Sequence, residues 1–237
     1  LPELAREALD AAGEDAAVTD VGSVKAEAIA ALGDDPRFIG GHPIAGAETA
    51  GVEHARADLF EGARWYLTPT SRTGGVLYDR VQRAVSDLGA RPQAIDATEH
   101  DHLMALISHL PHVLADVLVA QAAQGLGKGE RLPEVGPSFR DATRVAGANP
   151  AIWGDIFAAN AEAIADEVEA ASARLVEFAT ILRKGDREWI AAWHERAAAE
   201  RRALLEADLA GGPLRELRVS VPNRPGIVAE IALELGR

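Results

Sequence analysis

The 237-residue chain contains no cysteine. Disulfides, thiolate nucleophiles and thiolate metal ligands are therefore excluded, and the composition is compatible with a cytoplasmic location. Positive charge is also in short supply: 24 Lys and Arg stand against 37 Asp and Glu, a formal net charge of −13. Nucleic-acid binding needs clustered cations to neutralise phosphates, and no such cluster is evident, so no nucleic-acid partner is expected. A small anionic substrate would have to be gripped locally by a few arginines. No run approaches the ~18 apolar residues that a membrane span requires. The amino terminus, LPELAREALDAAG, lacks the basic-then-apolar order of a signal peptide. The expectation is a soluble, cytoplasmic protein with no membrane partner.

Hydrophobic residues make up 48% of the chain, which argues against disorder. The length allows one large domain or two ordinary ones. Over residues 1–96 short β-prone runs alternate with helical spacing. PELAREALDAA, SVKAEAIAAL and GGVLYDRVQRAVSDLG read as helices, and AAVTD, RFIGG, RWYLTP and RPQAID as strands. Alternation of this kind implies a mostly parallel sheet with helices on its faces, and ligands of such sheets lie beyond the carboxyl ends of the strands. That rule places TDVGS and GGHPIAG on one rim, each directly after a strand. Ser23 and His42 become neighbours. On local grounds Ser23 is first a helix N-cap.

From Thr98 onward the pattern turns to long Ala- and Leu-rich helical segments, which predict an all-helical domain over 97–212. A Gly- and Pro-rich stretch before Pro150 reads as a loop with a short helix around SFRDATRVA. Residues 213–237 turn β-like again, with a strand, a turn and the start of a helix.

GGHPIAGAETAG, at 40–51, sets His42 among glycines and a proline. Glycine permits close backbone approach, and Pro43 directs the chain leaving the histidine. His100, His102, His109 and His112, with Glu99 and Asp101, raise a metal reading. Pro111 interrupts the spacing and no strict ligand motif is present, so no metal is expected. A Ser23–His42 hydrolase is the weaker reading, because DVGSVK lacks the glycines of a nucleophile elbow.

Four segments in order, DVGSVK, GGHPIAGAETAGVEHARADLFEGARWYLTP, TEHDHLMALISHLPH and FRDATRVAGANPAIWGDI, resemble the prephenate dehydrogenase family over roughly residues 15–190. The resemblance implies a Rossmann-type NAD(P)-binding domain, here residues 1–96, followed by a helical dimerisation domain. LRVSVPNRPGIVAEIALELG is similar to the first strand and helix of an ACT domain, with tyrosine as a conceivable effector. The family's first strand and its G-x-G-x-x-G loop are not found in the sequence, which suggests a fragment of a longer chain.

The implied reaction is oxidative decarboxylation of prephenate, or of its amino analogue arogenate, with NAD, alternatively NADP, as hydride acceptor. By resemblance His42 is the base and Ser23 its neighbour, with Gly22 and Ser23 on the cofactor side. Arg144 grips a substrate carboxylate, and its planar fork suits that task. His112 meets the substrate side chain, and His100 and Asp101 form a polar network at the site entrance. Glu48 and Asp141 gate Arg144, with Trp153 packed nearby. His102 and His109 are read as ordinary helix residues. A noncatalytic dimeric scaffold that senses amino acids is the competing reading from another class.

Overall fold

The computed structural model describes residues 1–46, 51–125, 134–209, 221–222, 224 and 226–236. In chain order the elements are α1 (Pro2–Ala11), β1 (Val18–Thr19), α2 (Ala26–Leu32), β2 (Phe38–Pro43), β3 (Arg64–Thr68), α3 (Gly75–Asp87) and β4 (Arg91–Ala94). The helices α4 (Ala97–Met104), α5 (Leu110–Gln124), α6 (Pro137–Thr143), α7 (Pro150–Ala159), α8 (Ala161–Lys184), α9 (Arg187–Leu209) and α10 (Ile227–Gly236) follow. The chain divides into one unit of Leu1–Glu167 with Pro222–Arg237, and a second of Val168–Val221.

In the first unit the four strands form a sheet in sequence order. β1 and β2 are parallel, as are β3 and β4, whereas β2 and β3 run antiparallel with His42 opposite Tyr66. The sheet is therefore mixed, a departure from the strand–helix alternation: among the described residues only a short 3₁₀ turn, Val52–His54, stands between β2 and β3, with no α-helix for a parallel crossover, so the chain can return in the opposite sense. Alternation along β2 builds the two layers above and below. Phe38 packs with Ala5, Leu9, Ala28 and Leu32 from α1 and α2, and Ile39 joins Leu67, Tyr78, Val81 and Val85 on the α3 side. Gly89, at φ +79°, lets the chain leave α3 in the left-handed conformation and enter β4.

Two local expectations are corrected. The strand read over RFIGG runs on through Pro43, so His42 lies inside β2 with Gly40 and Gly41, not in a loop after it. The glycines answer to crowding: a Cβ on Gly40 would stand 2.4 Å from Thr68 Oγ1, and one on Gly41 2.5 Å from the Asp20 carbonyl. The second correction concerns Ser23, which caps no helix. α2 begins at Ala26, and its free N–H groups are met from a distant part of the chain.

α4 and α5 form one helical run interrupted at Ala105–His109 by a turn of π geometry. Pro111 supplies the reason. Its ring crowds the carbonyl four residues back and it donates no hydrogen bond, and a widened turn relieves both effects. The run Ala97–Gln124 is, contrary to the sequence expectation, long and apolar enough by length and composition to cross a membrane, with a mean hydropathy of 1.7 over its most apolar 18-residue window. It also carries buried His100, Asp101 and His109, each hydrogen-bonded to other parts of the first unit, as a core helix would. Its outer side exposes Leu106, Ile107, Val117, Leu118 and Val119.

In the second unit α9 and the later part of α8 share an aromatic cluster, with Phe178 4.6 Å from Trp193 and 6.2 Å from Trp189 between ring centres. The helix expected near the carboxyl end is α10, which packs on β4 and α3, where Gln93 Nε2 donates to the Gly236 carbonyl at 2.8 Å. The strand expected before it falls mostly outside the described residues.

Candidate active site

The end of β1, the end of β2 and the start of α4 meet through three acidic or basic side chains. Asp20 follows β1 and is buried. Its Oδ1 accepts from Gly41 N at 2.9 Å and its Oδ2 from Gly22 N at 2.8 Å. Lys25, with no exposed surface, pairs with the same carboxylate and donates to the Gly41 carbonyl at 2.8 Å. Both peptide groups of Gly41 are thus held from one side, which fixes the backbone that carries His42. Burial pulls the Lys25 ammonium below its ordinary pKa, against the raising effect of Asp20.

Asp101 anchors the other side. Its Oδ1 accepts from Lys25 N and its Oδ2 from Ala26 N, both at 2.8 Å, so it caps α2 from 75 residues away. The same carboxylate receives His100 Nδ1 at 2.7 Å, and His100 Nε2 lies 2.9 Å from His42 Nδ1. Burial alone would raise the Asp101 pKa. The hydrogen bonds from His100, Ala26 and Lys25 together outweigh it and hold the carboxyl below its usual range.

A carboxylate only accepts, so His100 presents Nδ1–H to Asp101. In the neutral pair His100 Nε2 then accepts from His42 Nδ1–H, and His42 Nε2 keeps a lone pair. Burial, reinforced by His100, Lys25 and His109, brings the His42 pKa down from 6.5 to about 3, so the ring is neutral near pH 7.

His42 lines a cavity of about 550 Å³ together with Ser23, His109, His112, Arg144 and Trp153. His112 stacks on Trp153 with ring centres 3.4 Å apart, and its Nδ1 donates to the Ser108 carbonyl at 3.0 Å. Arg144 opens a short 3₁₀ turn that directly follows α6. A second cavity, of about 630 Å³, lies on the other side of Ser23 and is lined by Gly22, Val24, Glu27, Ala28 and Asp155 among others. Ser23 belongs to both.

The structure therefore gathers Ser23, His42, His112, Arg144 and Trp153 around one space. It does not bring every expected residue there. His100 and Asp101 join in a polar network, but it is buried behind His42 and lines neither cavity, which corrects its expected place at the site entrance: the carboxylate is consumed by the α2 N-terminus and the imidazole by His42. Asp141 is exposed on α6 and lies outside the cavity lining. Glu48 lies outside the described residues. His109, read as an ordinary helix residue, is buried, lines the cavity and contacts Asn160 Nδ2 at 3.2 Å. Asp20, Lys25 and Asn160 were missed altogether. The only sequence signal for the first two is an Asp and a Lys flanking the glycine–serine turn. Asn160 had none.

A Rossmann-type sheet whose strand ends carry this histidine, followed by helices that close the cavity, is the architecture of a nucleotide-binding domain joined to a helical domain. Residues 2–93 match the family description "Prephenate dehydrogenase, nucleotide-binding domain", and residues 96–196 match "Prephenate dehydrogenase, dimerization domain". The chain belongs to the prephenate dehydrogenase family. It is 31% identical over 220 residues to the prephenate dehydrogenase of Bacillus subtilis (strain 168), covering 90% of this chain and 59% of that protein. With the cyclohexadienyl dehydrogenase of Zymomonas mobilis it shares 34% identity over 201 residues, covering 82% and 68%. Among solved structures, prephenate dehydrogenase from A. aeolicus in complex with hydroxyphenyl propionate and NAD+ is similar at TM-score 0.75 and 33% identity, over 86% of this chain and 72% of that one. The chain spans about 60% of the length of the curated prephenate dehydrogenases it matches.

Proposed function

We propose that the protein oxidatively decarboxylates prephenate with NAD, and that His42 is its base. The observation that carries the reading is the chain Asp101···His100···His42, which leaves His42 Nε2 as a neutral acceptor on a cavity that Arg144 also lines. Arg144 grips a substrate carboxylate, and Trp153 and His112 form a flat wall for the ring. The C4 hydroxyl of the substrate donates to His42 Nε2. NAD, when bound, supplies the hydride acceptor for C4. As the C4–O bond gains carbonyl character, His42 takes the hydroxyl proton. Positive charge on the imidazole can pass through Nδ1 to His100, where Asp101 stabilises it. The bond to the ring carboxylate breaks and CO2 departs. Its electrons complete the aromatic ring, and His42 returns the proton to the phenolic oxygen.

Gly22 and Ser23 fit the nicotinamide end, because they line the second cavity at the carboxyl end of β1 and Ser23 reaches the first. The exposed apolar side of α5 supports a homodimer formed through the helical domain, with the domain boundary at 96/97. The test is reduction of NAD by the full-length protein on addition of prephenate, run beside arogenate and NADP, with light scattering on the same sample. Turnover with prephenate is expected, from a dimer. No turnover with either substrate would leave the scaffold reading standing.

A further inference from the structure

Asn160 closes α7 and begins the corner into α8, and its side chain is buried. One atom of its amide stands 2.8 Å from the Asp101 carbonyl oxygen and 3.2 Å from His109 Nδ1. A backbone carbonyl can only accept, so that atom is the amide nitrogen and not the amide oxygen. The nitrogen carries two hydrogens. One is committed to Asp101, and the other is available to His109 Nδ1, which accepts it with a lone pair. Burial pulls the His109 pKa from 6.5 to about 4, so the ring is neutral near pH 7 and has a single N–H. With Nδ1 as acceptor, that hydrogen sits on Nε2.

We propose that Asn160 is a positioning residue that fixes His109 as the Nε2–H tautomer, so that the cavity offers a hydrogen-bond donor from His109 alongside the acceptor from His42. Both histidines line the same space, but their remaining nitrogens carry opposite hydrogen-bonding character. A ligand with a hydroxyl at one end and a carboxylate or carbonyl at the other then has one preferred direction: hydroxyl to His42, oxygen acceptor to His109. Reversal would face a lone pair with a lone pair. What the donor meets rests on the proposed function, whereas the tautomer itself does not.

Imidazole nitrogen NMR on the ligand-free full chain, with His109 assigned through a His109→Gln control, reads the tautomer directly. A protonated Nε2 and an accepting Nδ1 are expected. A protonated Nδ1 overturns the proposal whatever the enzyme turns over. The Asn160→Asp variant places a carboxylate where the amide nitrogen was, and His109 should switch to Nδ1–H. The dissociation constant for hydroxyphenyl propionate, a phenol that carries a carboxylate, should then rise roughly tenfold, as for one lost hydrogen bond. The Michaelis constant for prephenate should follow it, with kcat changed by less than about threefold. A switched tautomer with unchanged ligand affinity would also sink the donor role. If the variant does not fold, the wild-type spectrum still decides the tautomer, and hydroxyphenyl propionate binding by His109→Phe, which has no side-chain donor, decides the donor. If prephenate is not turned over at all, both of those readouts remain.

Discussion

The Asp101 carboxylate stands 2.8 Å from the backbone N–H of Ala26, and its other oxygen is shared between Lys25 N and His100. One side chain therefore caps a helix of the nucleotide-binding domain and orients the histidine that contacts His42. The contact joins the first helix of the dimerisation domain to the rim of the sheet.

Asp101→Asn should damage both roles. An amide cannot accept at both positions, so α2 loses part of its cap and His100 its fixed orientation. A stability loss of about 2–4 kcal/mol is expected from the cap and the charged hydrogen bonds together. The pH dependence has a defined sign. The folded carboxyl has a pKa below its unfolded value of about 3.9, so its contribution is present above that pH and fades as pH falls through the folded value. Acid unfolding followed by circular dichroism should show a flatter acid limb in the variant; identical limbs would argue that Asp101 is not ionised in the fold.

His42→Asn should lower kcat by ~10²–10⁴-fold with little change in dinucleotide affinity, because a base is lost and not a binding surface. Turnover within about threefold of wild type would remove the assignment.

The low pKa of His42, about 3 against 6.5, makes a separate prediction. His42 stays neutral in weak acid, so with His42 as the proposed base the acid limb of kcat/KM should lie well below pH 6. Between those two values the unfolded state binds more protons, so stability rises with pH and His42→Asn should reduce that slope. An activity limb centred near 6.5 in the wild type would contradict a neutral, buried His42.

Arg144→Ala should raise the Michaelis constant for prephenate by roughly ten- to hundredfold, the worth of a charge-assisted contact. Arg144 is exposed at the cavity, and the melting temperature should move little. An unchanged Michaelis constant would place the substrate elsewhere.

Lys25→Met leaves Asp20 buried without its cation, and breaking a buried pair in this way costs about 3–5 kcal/mol. Asp20→Asn with Lys25→Met should recover part of that loss, since neither buried charge remains. Additive losses in denaturant titration would show that the two residues act independently.

The sequence by itself determined the local elements and the chemistry of the exposed wall. Alternating periods marked the sheet and then the helices, Pro111 marked the disturbed turn, and the quoted motifs carried Ser23, His42, His112, Arg144 and Trp153 to one cavity. Tertiary structure decided what those motifs rest on. Whether β2 and β3 run parallel or antiparallel depends on the path of the chain between them, which no local pattern encodes. Asp101 caps a helix 75 residues earlier and Asn160 reaches back 59 residues to its carbonyl, contacts that leave no periodic signal. The glycines of β2 looked like a ligand loop because small residues serve close approach of any kind; only the packed sheet showed that the approaching groups are Thr68 and Asp20. His109 shows the same limit. A histidine on an apolar helix reads as core or as site alike, and its buried neighbours determine which nitrogen it presents to the cavity.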